Sequence, residues 1–217
     1  MWAPLVDARF RRLLTYGCCV SVFNGITQLA QFFYVRYALG FTLLEYLALN
    51  IALRLGQSAL APTVGRLADR LGNRPLMLPS QLLVAFALLF YYVATPVQPW
   101  WIAGAWILWV AYVGLNVSLP NLMLKLAPGE HTSPHISAYY AIKGVFFGLS
   151  TILGSWLFGV LERNTDAITF LPLVSDHYDL LFLVGFVLRA VAVVFLLRIV
   201  EPGARSLWEV VFTRRTL

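Results

Sequence analysis

Six stretches of roughly twenty mostly apolar residues run along this chain, and no single motif limits its fold as much. They cover Leu13 to Val35, Leu43 to Val64, Leu76 to Ala94, Trp100 to Leu124, Ile136 to Leu161 and Leu180 to Val200. Each is near the length a helix needs to cross bilayer hydrocarbon, where the backbone must satisfy its own hydrogen bonds. The short alternating strands of a membrane barrel are absent. Composition agrees, with 60% hydrophobic and only 12% charged residues, against about 25% charged in a soluble domain. A soluble enzyme or nucleic-acid binder of this composition would leave large apolar patches in water. The expected architecture is all-α: a six-span bundle over residues 1–200 and a short basic tail, 201–217, lying on the inner membrane surface.

The charges give the bundle an orientation. Arg9, Arg11 and Arg12 precede the first run, and Arg66, Arg70 and Arg74 join the second to the third. Lys125 follows the fourth, and Arg198, Arg205, Arg214 and Arg215 follow the sixth. The opposite side holds Arg36 and Arg163, together with Glu162, Asp166, Asp176 and Asp179. By the positive-inside rule both termini are cytoplasmic, as in a multi-pass inner-membrane protein. The net charge of +6 is therefore read as topology rather than as affinity for nucleic acid. The first run is too long and too polar, through Asn24, Gln28 and Gln31, for a cleaved signal peptide. Trp100 and Trp101 open the fourth run as an interfacial belt would. Cys18 and Cys19 are adjacent inside the first run, which excludes a disulfide framework.

Between the second and third runs stands Gly65-Arg66-Leu67-Ala68-Asp69-Arg70-Leu71-Gly72-Asn73-Arg74-Pro75. The positive-inside rule accounts for its arginines but not for Asp69 or the two glycines at this spacing. Gly65 is expected to allow close helix approach, and Gly72 a turn of positive φ. Asp69 is expected to pair with arginines or to sit at a helix N-terminus. The stretch resembles the signature loop of the major facilitator superfamily. Asn121 to Pro128, Ser137-Ala138-Tyr139, the ending Arg198 to Gly203 and the lead-in Asp7 to Arg12 resemble the C-terminal six-helix halves of bacterial members. Gly159-Val160-Leu161 echoes Gly65-Arg66-Leu67, which is compatible with inverted three-plus-three repeats.

That resemblance implies a secondary transporter with about twelve spans in two halves and a substrate site between them. Six spans make one half, whose cavity-lining face would meet lipid if it stood alone. Met1 opens what reads as a self-contained unit, so the expected partner is a second copy, related by a two-fold axis along the membrane normal. A separately encoded second half and a non-transporting membrane scaffold are the alternatives. In the family the loop aspartate contacts the start of the corresponding helix in the other half. The resemblance thus makes Gly65, Asp69, Arg70, Gly72 and Arg74 a gating motif, with Asp69 of one protomer meeting the start of the other's fifth span. Ser133 and Pro134 read as the N-cap and first position of that helix.

Polar residues within the spans are the candidate substrate contacts. Asn24, Gln28 and Gln31 share one helical face, and Asn50, Arg54 and Gln57 repeat the spacing. Two such stripes line a water-accessible cavity or bond helix to helix. Asn116 and Asn121 flank Pro120, which is expected to bend the fourth span near its inner end. Tyr139 and Lys143 of the fifth span face the same cavity, or Lys143 snorkels to the inner surface. Arg189 lies in the sixth span, peripheral in the resembled fold, and is assigned to structural pairing. Gly144, Gly148, Gly154, Ser155 and Gly159 are expected at the subunit interface. A positive charge among amides favours a small polar, anionic organic solute. No phosphate loop, nucleophile elbow or intramembrane carboxylate pair supports an enzyme. His131 and His135 lack a third metal ligand, so neither metal nor cofactor is expected.

Overall fold

A computed structural model describes residues 7–127, 132–168 and 173–203. The calls for a basic surface tail and for His131 fall largely or wholly outside those residues. The described chain is helical: α1 (Ala8–Phe33), α2 (Leu43–Leu71), α3 (Asn73–Val93), α4 (Ile102–Trp109), α5 (Tyr112–Leu126), α6 (Thr132–Arg163), the single turn α7 (Thr165–Ile168) and α8 (His177–Leu197). A π-turn, Tyr34–Ala38, extends α1. The bridge between Thr95 and Gln98 stands by itself outside any strand.

Among the described residues, five segments are long and apolar enough to cross a membrane: Ala8–Ala38, Asn73–Val93, Pro99–Leu126, Thr132–Arg163 and His177–Leu197. The run expected as the second span forms α2, whose 29 residues extend about 43 Å at 1.5 Å per residue. Its composition is less apolar than that of the five, because Asn50, Arg54, Gln57, Ser58, Pro62 and Thr63 interrupt the hydrophobic residues.

Local chemistry sets the helix ends. Asp7 caps α1, its carboxylate accepting from the N–H groups of Arg9 at 2.8 Å and Phe10 at 2.9 Å. Thr42 and Glu45 form a capping box at the start of α2. The loop expected between the second and third runs is reduced to one residue: α2 continues to Leu71, and Gly72 alone separates it from α3. Gly72 has a φ of 96°, the region where an L side chain is strained, so the expected turn is present. Gly65 departs from expectation. A Cβ there would meet nothing within 4 Å, so it permits no close approach inside this bundle. At α6 the helix begins at Thr132, which puts Ser133 and Pro134 within its first turn.

The fourth run bends at a different place from the one expected. Pro120 sits inside α5, whereas the break falls at Val110–Ala111, between α4 and α5. There the N–H groups of Val113 and Gly114 donate to carbonyls three residues back, Val110 and Ala111. The tightened turn frees the Trp109 carbonyl, which accepts from Gln57 Nε2 at 3.1 Å. A side chain from α2 thus replaces the missing rung of the ladder.

Helix α1 runs through the bundle, packed most extensively on α6 and also on α8, while α3 packs on α8, α4 and α5. The α1–α6 seam is tight because Gly25 and Gly154 have no side chains. A Cβ on Gly154 would come within 2.3 Å of the Ile26 carbonyl oxygen, and one on Gly25 within 2.1 Å of Ser150 Oγ. The small residues of α6 therefore divide between two faces. Gly154 is consumed inside the bundle, contrary to its expected interface role, while Gly144, Gly148 and Gly159 face open space.

Two apolar clusters fill the core. One gathers Phe10, Leu13, Tyr16, Met77, Leu122, Tyr139 and Leu196. The other gathers Tyr34, Leu88, Tyr91, Trp106, Phe158 and Phe182. On α1, α3 and α8 alike, the residues between the clusters include buried polar ones: Ser21 and Thr27, Ser80 and Gln81, and Arg189. A polar belt crosses the bundle at mid-height.

Candidate functional site

Arg189 organises the belt. It is 3% exposed and lies 12 residues into α8, about 18 Å from the helix start. Its Nε donates to Asn24 Oδ1 at 2.7 Å and its Nη2 to Thr27 Oγ1 at 3.0 Å. Gln31 Nε2 donates to the same Thr27 oxygen at 2.7 Å, and the Tyr112 hydroxyl to Asn24 Oδ1 at 3.3 Å. Behind Arg189, Gln81 Nε2 donates to its backbone carbonyl at 3.0 Å, and Tyr16 donates to Gln81 Oε1 at 2.8 Å. Four helices, α1, α3, α5 and α8, are joined by these bonds. The expected structural pairing of Arg189 is thus present, through neutral oxygens rather than a carboxylate.

The belt opens into a cavity of about 310 Å³, within the usual range of small-molecule sites. Its polar wall comes from Asn24, Gln28 and Gln31 on α1, Asn50, Arg54 and Gln57 on α2, Asn116 on α5 and Arg189 on α8. Its aromatic wall comes from Phe32, Tyr46, Tyr91, Trp106, Trp109, Tyr112 and Phe147, with Leu53 between. Arg54 Nη1 donates to Gln57 Oε1 at 3.2 Å, and Gln57 passes the chain on to the Trp109 carbonyl. Asn50 Nδ2 bonds back to the Tyr46 carbonyl at 2.8 Å. No lining residue is acidic. A wall of amides, two guanidiniums and aromatic rings suits a solute with hydrogen-bond acceptors and an apolar body.

Seven of the ten residues singled out in the sequence line this cavity: Asn24, Gln28, Gln31, Asn50, Arg54, Gln57 and Asn116. Asn121, Tyr139 and Lys143 do not. Asn121 follows Asn116 by five residues, a rotation of about 140° around α5. Tyr139 is fully buried in the cluster at the other end of α1, its ring edge-on to Phe10 at 6.4 Å. Lys143 is half-buried on α6, one turn before the lining Phe147. The sequence reading missed Arg189 as a cavity residue, along with the aromatic wall. Arg189 carried a signal, since an arginine in mid-span is rarely free of function. The aromatics did not, because they cannot be told from core residues by spacing.

A second polar cluster closes the end of the bundle where the described chain begins and ends. Glu201, 7% exposed, accepts from the N–H groups of Asn73 and Arg74, both at 2.8 Å, at the start of α3. Its other oxygen accepts from Asn73 Nδ2 at 2.7 Å and Lys125 Nζ at 2.9 Å. Burial alone would push the Glu201 carboxyl up. The Arg74 N–H, the Lys125 ammonium and the two Asn73 donors outweigh it and hold the pKa below the ordinary carboxylate value. The carboxylate at this helix start is therefore Glu201. Asp69, expected to pair with arginines, is exposed, and its side chain makes no hydrogen bond or ion pair among the described residues. Arg74 Nη2 donates to the Leu197 carbonyl at 2.9 Å. His135 is buried, with its ring edge-on to Phe10 at 5.0 Å.

Comparison with known proteins gives the frame for these sites. No curated protein and no solved structure matches the chain significantly. The family model of the Major Facilitator Superfamily matches residues 13–212, nearly the whole chain. Five membrane-capable helices among the described residues agree with that match. The chain is a multi-pass membrane protein that belongs to the Major Facilitator Superfamily, a family of secondary transporters.

Proposed function

We propose that two copies of this six-helix bundle, related by a two-fold axis along the membrane normal, form one carrier that moves a small, polar, anionic organic solute by alternating access. The observation that carries this reading is the side-opening of the polar cavity. Gln28, Arg54 and Asn116 line it and are exposed. Arg54 lies 11 residues into α2, about 17 Å from the helix start and thus at hydrocarbon depth. Polar groups open to lipid there are strongly disfavoured, and a second half-bundle removes that cost. The faces available to it belong to α2 and α6, where Gly65, Gly144, Gly148 and Gly159 look into open space.

Basic residues gather at the end of the bundle that holds Asp7, Gly72, Lys125 and Glu201, which makes that end cytoplasmic and both termini inward. The gating motif Gly65, Asp69, Arg70, Gly72 and Arg74 lies at this end. Asp69, exposed and without a side-chain partner among the described residues, is assigned to the start of α6 in the second copy, where its charge meets the helix dipole. Asn121 and Lys143 are assigned to the path between this gate and the cavity, while Tyr139 packs in the core.

The test is uptake into proteoliposomes across a panel of organic anions and neutral analogues, with Arg54→Gln and Arg54→Lys beside the wild type. Anion uptake is expected to fall at least tenfold in Arg54→Gln and to survive in Arg54→Lys. Equal anion uptake by Arg54→Gln and wild type overturns the role of its charge.

A further inference from the structure

Among the described residues that line the cavity, every buried side-chain atom without a partner is a donor. Arg189 Nη1, Trp106 Nε1 and Trp109 Nε1 are all buried without an acceptor, and all three residues line the cavity. A guanidinium and an indole can only donate. Asn24 and Thr27 supply one oxygen each to Arg189, through Nε and Nη2, and both oxygens are neutral. Arginine does not escape by losing its proton. A buried guanidinium at this depth, with no carboxylate lining the cavity, thus lacks a counter-charge. Buried donors without acceptors are costly in a native protein and call for an explanation. Here three of them belong to residues that line one small-molecule-sized space, each sealed just behind its wall.

We propose that the solute of this cavity is an aromatic carboxylate. Its carboxylate is received by Arg189, with the Trp106 and Trp109 indole N–H groups as further donors. Its ring lies among the aromatic side chains of the same wall. Tyr91, Trp106 and Trp109 already pack on one another with centroids 5.2 to 5.9 Å apart, and a further ring extends that cluster. Arg54, exposed on the open side, meets the anion first, and Arg189 holds it. The sealed N–H groups become available by a side-chain rotation of the wall, the kind of small closure a bound solute drives. The proposal rests on the carrier reading of this cavity and names its solute class and its deep anchor.

The experiment is calorimetric titration of the full chain in nanodiscs with benzoate, benzamide, cyclohexanecarboxylate and inorganic phosphate. Benzoate is expected to bind at least tenfold more tightly than each of the other three. Arg189→Gln is expected to weaken benzoate at least tenfold and Arg189→Lys to restore part of the loss. Because Arg189→Gln disturbs a buried network, Asn24→Asp is the second variant. It places a carboxylate 2.7 Å from Arg189 Nε, supplies the counter-charge internally, and is expected to abolish benzoate binding while raising the melting temperature. Equal binding of benzoate and benzamide overturns the proposal, as does wild-type affinity in Asn24→Asp or tighter phosphate binding. The absence of saturable benzoate binding by folded protein overturns it too. Flux in proteoliposomes separates the two readings. A neutral solute carried without benzoate binding defeats this proposal alone, and benzoate bound by a chain that carries nothing defeats the carrier alone.

Discussion

Replacing Glu201 tests how the α2–α3 turn is held. Its side chain is fully buried and accepts four hydrogen bonds of 2.7 to 2.9 Å, one of them from the Lys125 ammonium. Glu201→Ala leaves two N–H groups at the start of α3, the Asn73 amide and Lys125 without that carboxylate. The Lys125 ammonium is 47% exposed and is rescued by water, so the loss comes mainly from the helix N–H groups and the Asn73 amide left without an acceptor, about 2 kcal/mol, which in a chain of this size lowers the melting temperature by about 4–8 °C. Glu201→Gln keeps one oxygen for the helix N–H groups but turns an amide donor toward Lys125 and Asn73, so about half that loss is expected. The pH dependence has a definite sign. The folded-state pKa of Glu201 lies below the ordinary glutamate value, so its stabilisation is fully present above that value and is lost as pH falls through the folded pKa. Thermal unfolding in detergent, followed by tryptophan fluorescence, should therefore separate wild type from Glu201→Gln at pH 7 and bring them together near the bottom of the carboxylate range. A Glu201→Ala protein melting within about 1 °C of wild type at pH 7 would refute the reasoning. So would a Glu201→Gln protein whose deficit is unchanged in acid.

Two further outcomes follow from the geometry. Gly154→Ala drives a methyl group to within 2.3 Å of the Ile26 carbonyl oxygen and should destabilise the α1–α6 seam by about 1–3 kcal/mol. Gly148→Ala meets open space within its own bundle and should leave the melting temperature of the single chain within about 2 °C of wild type; equal losses in the two, measured on monomer in detergent, would contradict the packing described. Asp69→Lys, made at an exposed and unpartnered site, should insert and melt like wild type yet abolish transport, and normal uptake by that variant would exclude a gating role.

Much of this was legible in the sequence because membrane helices announce themselves by length and apolarity, and five of the six expected spans have both. The stripes at i, i+4 and i+7 on α1 and α2 converged on one cavity because helical geometry puts such residues on one face. What the sequence concealed depended on which helix faces which. Arg189 looked peripheral because the sixth span is peripheral in the resembled fold, and spacing within α8 does not reveal that α1 lies opposite it with Asn24 and Thr27. Tyr139 looked like a cavity residue until the absent side chain of Gly17 left room for its ring, with a Cβ there only 2.3 Å from the Tyr139 hydroxyl. Glu201, 128 residues from Asn73, could not be matched to a helix start by any local pattern, and the nearer Asp69 drew that role instead. Pro120 marked a bend that α5 absorbs, while the real break at Val110–Ala111 carries neither proline nor glycine and is supported from outside by Gln57.

The central claim is that the open side of the polar cavity is covered by a second copy of the same chain. Native mass spectrometry of the purified chain in nanodiscs tests it directly, since one chain weighs 24.4 kDa. The account predicts a particle of twice that protein mass, with monomer only after harsh activation. A stable monomer as the sole species, at every protein concentration tested, would contradict it.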